Sequence, residues 1–268
     1  MLWRETLHVL VSSDRLEYRV MPPLGLAPVD VGSVPCQSAS SSGPAWQAAC
    51  DALAGLVAGS RQGPMRIEIQ LSDRFVRYQV LDWQPGIVTR AERQAYAMHR
   101  FAAVHGAAAG SWQCRLELVP PGRASLACAI ESPLLERLRE IAARQAAFLA
   151  GIHPHFIRLF NRRHLRASQQ EQLWFAVVED HHVCLGTKVG KSWRALRNEA
   201  APDGWRSALP GMIKRIKANL DLDGEACLHL CGYLATDSVP PAIEGMRVQA
   251  TDTSFLRGRA VAIPALDG

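Results

Sequence analysis

Short runs of β-type residues at 7–11 and 16–20 flank Ser12-Ser13-Asp14-Arg15, and this pattern predicts an opening hairpin. Residues 22–44 are rich in Pro and Gly and close on a Ser-rich run, so they read as a loop. Apolar residues at 46, 49, 50, 53, 56 and 57 recur with a helical period and predict a helix over 45–57. Ile67 and Ile69 alternate with Arg66, Glu68 and Gln70, and residues 75–80 alternate again. Together they predict a second hairpin, turning at Ser72-Asp73-Arg74. A helix over 89–104 follows, where Thr89 and Glu92 have the spacing of a capping box. Residues 112–119 and 126–130 read as strands. Ser132 followed by Pro133 then opens a long helix reaching about residue 149, in the N-cap and N1 pattern.

The second half repeats this alternation. Residues 156–161 form a short helix or strand, and 173–178 form an apolar strand. Two more strands, 183–185 and 193–196, surround a Gly-Lys-rich turn. A helix spans 205–220, and late strands cover 226–235 and 246–250. Strands interspersed with helices mean an α/β (α+β) protein with mixed sheets and flanking helices. The polar stretch 162–172 sets a lobe boundary between 149 and 173, which divides the chain into lobes 1–150 and 151–268.

Composition narrows the class. Of the 268 residues, 48% are hydrophobic and 21% charged, which excludes a disordered tail, a collagen and a long coiled coil. The formal charge of +5 is spread along the chain, mostly as Arg, and reads as a mildly basic surface rather than a footprint for nucleic acid. Seven cysteines, an odd number without a dense framework, point to a reducing compartment. Charges interrupt the first residues and no apolar window reaches 18 residues, so the expectation is a cytoplasmic protein that meets a membrane only through a partner.

The candidate chemistry is sparse. Gly186-Thr187-Lys188-Val189-Gly190-Lys191-Ser192 is one residue short of a phosphate-binding P-loop and reads as a hairpin turn. Cys227, His229 and Cys231 would share one face of a strand, which reads as a buried strand before a zinc site. His153, His155 and His164, and the pair His181-His182, are loose clusters, and the pair reads as a polar turn. No metal ligand is assigned. Arg158, Arg162, Arg163 and Arg166 interleave with Phe156 and Phe160, the pattern of an amphipathic element with an exposed basic edge. A nucleic-acid module built on these residues is the weakest alternative. Glu179 and Asp180 stand at a strand end, a frequent place for catalytic carboxylates, although no catalytic residue is assigned.

The block from Ser72 to Gln84 is followed by Glu92, Tyr96 and His99, then Cys128 and Ile130, Leu134-Leu135, His153-Pro154, Phe160-Asn161 and the strand at 173–178. Over residues 65–200 this order resembles the actin-like cytoplasmic proteins of type IV pilus and type II secretion assembly platforms. These are pilus assembly protein M and the cytoplasmic domain of secretion protein L. The resemblance implies an actin-like (RNase H-like) fold of two similar lobes. It also implies two hairpin turns that in such folds hold nucleotide phosphates. Their counterparts here are the turn at Asp14 and the turn at Glu179 and Asp180. The first lacks Gly, and the second has His and Val where Gly and Thr would stand. The resemblance therefore implies a degenerate, non-hydrolysing scaffold without a cofactor, peripheral to the inner membrane. It would bind the cytoplasmic tail of a single-span membrane protein and a motor ATPase. The alternative is an active actin-like ATPase or kinase relative, with Asp14, Glu179 and Asp180 holding Mg-ATP.

Overall fold

The computed structural model describes residues 5–23, 27–37, 43–59, 65–163, 171–232, 234, 240–253 and 261–263. The first elements are β1 (Thr6–Val11), β2 (Arg15–Met21), β3 (Asp30–Pro35), α1 (Gln47–Gly59), β4 (Arg66–Leu71), β5 (Val76–Leu81) and α2 (Arg90–His105). Then come β6 (Trp112–Leu116), β7 (Ser125–Glu131), α3 (Ser132–Arg144), β8 (Phe148–Pro154) and α4 (His155–Arg163). The last are β9 (Gln172–Glu179), β10 (His182–Val189), β11 (Ser192–Ala200), α5 (Trp205–Leu220), β12 (Ala226–Gly232), β13 (Met246–Asp252) and β14 (Val261–Ile263). The chain forms two compact units, each assembled from separate stretches. Of the described residues, the first takes those within 5–76 and 131–158, and the second those within 77–130, 159–253 and 261–263.

The first unit is built on one sheet in the order β3-β2-β1-β4-β8. β1 pairs antiparallel with β2 and parallel with β4, and β4 pairs parallel with β8. The period-two pattern of β1 and β4 puts Leu7, Val9, Val11, Ile67, Ile69 and Leu71 on one face, none more than 1% exposed. α1 supplies Ala49, Cys50, Leu53 and Val57 to this core, and α3 supplies Leu134, Leu135, Leu138 and Ile141. Each Leu or Ile buried here contributes roughly 1.5–3 kcal/mol relative to exposure.

Three sequence expectations are corrected here. β4 and β5 are not a hairpin, because both sides of β4 are already paired with β1 and β8. After β4, Ser72 donates its N–H to the Val11 carbonyl, a single 3-10 turn (Asp73–Phe75) follows, and the chain leaves for another sheet. The loop at 22–44 contains an edge strand, β3, in which Gly32 and Ser33 separate Val31 from Val34, so no period-two alternation is there to read. Residues 38–42 of that loop lie outside the described residues. The long helix ends at Arg144 rather than 149, because Ala146 takes a positive φ of 49° and Phe148 bonds to the Met65 carbonyl, entering the sheet as β8. Its start also differs. Ser132 is the first helical residue and makes no side-chain cap, while Glu131 before it accepts from the Trp46 indole at 2.8 Å.

The second unit carries a sheet in the order β11-β10-β9-β12-β13-β14. Trp174, Ala176, Val178, Val183, Leu185, Leu228 and Leu230 face α5, which contributes Leu209, Met212, Ile213 and Ile216. The run at 186–192 is the β10–β11 hairpin, and Gly190 takes φ +57° at its turn. The same unit contains a three-stranded sheet, β5-β7-β6, packed on α2 through Leu81, Ala97, Phe101, Cys114, Ala127 and Ala129. The predicted capping box is present: Glu92 N–H donates to Thr89 Oγ1 at 3.2 Å, and the Thr89 N–H donates back to Glu92 at 2.8 Å. Donation from the Thr89 and Val88 N–H groups holds the Glu92 carboxyl below its usual range. Among the described residues no helix is long and apolar enough to cross a membrane.

Candidate functional site

The three candidate carboxylates fall on two hairpin turns, one in each unit. In the first unit Val11 pairs with Leu16, and Ser12 donates to the Arg15 carbonyl at 3.1 Å, closing a four-residue turn. Asp14 is exposed and pairs with Arg15 at 3.3 Å, and its carbonyl accepts from the Cys36 N–H. In the second unit Glu179 pairs with His182 across a turn of Asp180-His181. The His182 ring is buried and bonds Asn198 at 2.6 Å, and the His181 carbonyl accepts from the Ala201 N–H. The polar turn predicted at His181-His182 is met by His181 alone, which forms the tip of the β9–β10 hairpin with Asp180, whereas His182 is the first, buried residue of β10. Both turns are glycine-free.

β4 brings together a cluster that the sequence reading did not single out. Glu68 lies 2.8 Å from His8 Nδ1, 2.6 Å from Arg158 Nη2 and 3.6 Å from His153 Nε2, with its side chain 13% exposed. Arg19, opposite His8 on β2, faces the same group, and burial lowers its pKa. Arg158 therefore leaves the exposed edge expected of the Arg-rich segment and joins this network. Asp73, buried after β4, accepts the Phe156 N–H at 3.0 Å and so satisfies a donor at the start of α4. His164 and Arg166 lie outside the described residues.

Within the second unit, Phe160 of α4 packs against Phe175 at 5.3 Å and Trp193 at 5.0 Å between ring centroids. Lys188 Nζ sits 5.5 Å from the Phe160 ring and 4.9 Å from the Trp193 ring. Burial lowers the Lys188 pKa, Glu117 opposes that and Arg123 adds to it. On β12 Cys227 Sγ lies 3.7 Å from His229 Nε2. Burial lowers the His229 pKa, and Arg163 and Arg247 lower it further. Cys231 is buried, and burial pushes its thiol up to about 11, so at neutral pH the thiol packs as a small hydrophobe.

A small surface cleft opens where β5, α2, β6 and β7 meet. Leu81, Trp83, Ile87, Tyr96, Leu116 and Val119 supply apolar walls, and Asp82, Gln84, Arg93, Arg123 and Ser125 supply polar groups. Arg93 donates to the Val119 carbonyl at 3.4 Å, which ties the start of α2 to the loop after β6. The only sequence sign of this place is Trp83 in the turn-rich stretch Asp82-Trp83-Gln84-Pro85-Gly86, where a tryptophan has no core to fill.

No family model and no curated protein matches the chain. Solved structures do. The chain is similar to the cytoplasmic domain of EpsL, an inner-membrane component of the type II secretion system of Vibrio cholerae. That match has 9% identity and a TM-score of 0.60, covering 92% of this chain and 89% of that one. It is similar to a chain of the PilM–PilN type IV pilus biogenesis complex, with 12% identity and a TM-score of 0.57 over 86% and 82% of the two chains. It is also similar to a Bacteroides thetaiotaomicron protein of actin-like ATPase fold and unknown function. There the identity is 13% and the TM-score 0.55, over 87% and 84%. With its repeated strand order and mixed sheets, the chain has the actin-like fold.

Proposed function

We propose that this protein is a scaffold of a type IV pilus or type II-like secretion assembly platform. It binds the cytoplasmic tail of a single-span inner-membrane protein, works on the cytoplasmic side and reaches the membrane through that partner. It turns over no ATP. The observation that carries this reading is the chemistry of the two turns. An actin-like fold that binds nucleotide brings backbone N–H groups against phosphate, and glycine permits that approach. Here the turns present Ser12-Ser13-Asp14-Arg15 and Glu179-Asp180-His181-His182, with carboxylates where an anion would sit. The likeness to EpsL and to the PilM–PilN complex supports the rest.

The same carboxylates support a second reading. Asp14, Glu179 and Asp180 are the residue type that holds Mg²⁺ in an active ATPase. Thermal unfolding with and without millimolar MgATP separates the two. A ligand at a hundred times its Kd adds about 2.7 kcal/mol to stability. The scaffold reading expects no rise in Tm, whereas a clear rise moves the ATPase reading ahead. Calorimetric titration with a synthetic peptide of a neighbouring single-span protein's tail then tests the partner, and saturable binding is the expected result.

A further inference from the structure

Trp83, which lines the cleft of the three-stranded sheet, is 39% exposed. Val88 and Leu118, next in sequence to the lining residues Ile87 and Val119, are 72% and 68% exposed. Leu81 forms part of the floor and is 3% exposed, while Tyr96 and Leu116 are half-buried. The cleft encloses about 30 Å³ and opens to solvent, so it can seat the end of one apolar side chain and is far too small for a nucleotide.

Its charge is unbalanced. Arg93 and Arg123 are half-buried in the lining, and neither forms an ion pair among the described residues. Arg93 spends one N–H on a neutral carbonyl. Lys188 is close enough to Arg123 for each charge to act on the other. Against these cations stand Asp82, which is exposed, and Glu117, whose carboxylate accepts the Leu126 N–H at 3.4 Å. A wholly apolar visitor would cover two guanidinium groups and leave them without an acceptor, which is costly. A basic visitor would add to the repulsion. A carboxylate meets the planar donor fork of Arg in two parallel hydrogen bonds.

We propose that this cleft recognises a peptide segment in which a bulky apolar side chain stands next to an Asp or Glu. The apolar side chain enters between Trp83, Tyr96 and Leu116, and the carboxylate lies on Arg123 and Arg93. That such a peptide exists at all rests on the scaffold reading above, while the cleft's preference rests on its own lining.

The test is selection from a displayed library of random twelve-residue peptides against the full chain, followed by Kd measurement on the best synthetic peptide by fluorescence anisotropy. Enrichment of Leu, Ile or Phe beside Asp or Glu is expected. The Kd should weaken about tenfold or more in Arg123→Glu, several-fold in Arg123→Gln and about tenfold in Trp83→Ala. It should also weaken as salt is raised. Arg123 and Trp83 are partly exposed, so the variants keep the parental melting temperature, and Arg123→Gln provides a mild change of the same group. Peptides without an acidic bias, or binding unmoved by both Arg123 variants, overturn the proposal. The tail peptide separates the two ideas. A tail that binds parent and variants alike leaves the scaffold reading standing and removes the cleft from it. Acidic–apolar peptides that bind the cleft while the tail does not leave the cleft standing and remove the scaffold reading.

Discussion

In the first unit β1 is flanked by antiparallel β2 and parallel β4, and in the second β9 is flanked by antiparallel β10 and parallel β12. Aligning Val11 with Val178, the residues before the two turns, puts the sheets in common register. One face is apolar in both: Leu7, Val9, Ile67 and Ile69 correspond to Trp174, Ala176, Leu228 and Leu230. The other face diverges. The row Arg19, His8, Glu68, Gly151 in the first sheet corresponds to Gly186, Phe175, His229, Gln249 in the second. α4 follows the change along its own length, with Arg158 on Glu68 and Phe160 on Phe175. One plan therefore needs only one apolar face under its helices, and the opposite face is free to be finished with charge or with rings.

The largest expected difference lies at the strand ends beside the turns. Leu71 corresponds to Gly232, which takes φ +126°, and a Cβ there would lie 2.0 Å from the Val178 carbonyl oxygen. Gly232→Ala must move backbone and also adopt a conformation that L-residues avoid, so it should cost about 4 kcal/mol. Leu71→Ala creates a cavity in the first core and should cost about 3 kcal/mol. Urea titrations measure both. A Gly232→Ala cost under about 1 kcal/mol would mean that β12 does not press on β9 as described.

The apolar faces were legible in the sequence because Ile67 and Ile69 alternating with polar residues, and the unbroken apolar run at 173–178, are local signals. The Thr89–Glu92 box was legible for the same reason. β3 and β8 were not. β3 owes its place to an edge next to β2, and Phe148 and Leu149 continue a helical pattern until Ala146 turns the chain. The partnership of β4 with β1 and β8 rather than with β5 is a non-local choice that no spacing encodes. The Glu68 cluster draws on residues as far apart as 8 and 158, so it exists only after folding. The acids at the turns were readable as residues, and so was the lack of glycine beside them. Trp83 in a turn-rich stretch was the cleft's one sign, and the rest was hidden because Arg93 and Arg123 are ordinary surface residues until three strands and a helix bring them together.

Next in size is the contrast between the charged row and the ring row. Glu68→Ala leaves Arg158 and Arg19 facing each other across His8, half-buried and without their carboxylate, and should cost about 2 kcal/mol. The register-equivalent His229→Ala removes one half-buried ring and should cost about 1 kcal/mol. Raising salt should narrow the first difference and leave the second unchanged. His229 adds a pH signature of definite sign. Its folded pKa is below the ordinary value of about 6.5, so the unfolded chain takes up the proton first as pH falls. Stability should therefore decline below about pH 6.5, and His229→Gln should remove part of that decline while matching the parent's slope above pH 7.5. A variant that declines as steeply as the parent would remove His229 as the cause.

The smallest effects are expected at the turns themselves, and their smallness is informative. Asp14 is 56% exposed, and its pair with Arg15 is worth at most about 1 kcal/mol. Asp180 is exposed at a hairpin tip. Asp14→Ala and Asp180→Ala should each change stability by about 0.5 kcal/mol or less. If the turns are relics of phosphate loops, neither variant should alter the response to MgATP, because the parent has none. If instead the parent's Tm rises with MgATP and either variant abolishes the rise, the carboxylates hold a metal–nucleotide complex despite the missing glycines. The two turns would then be the functional pair of the molecule, and the divergence of the sheet faces a secondary matter.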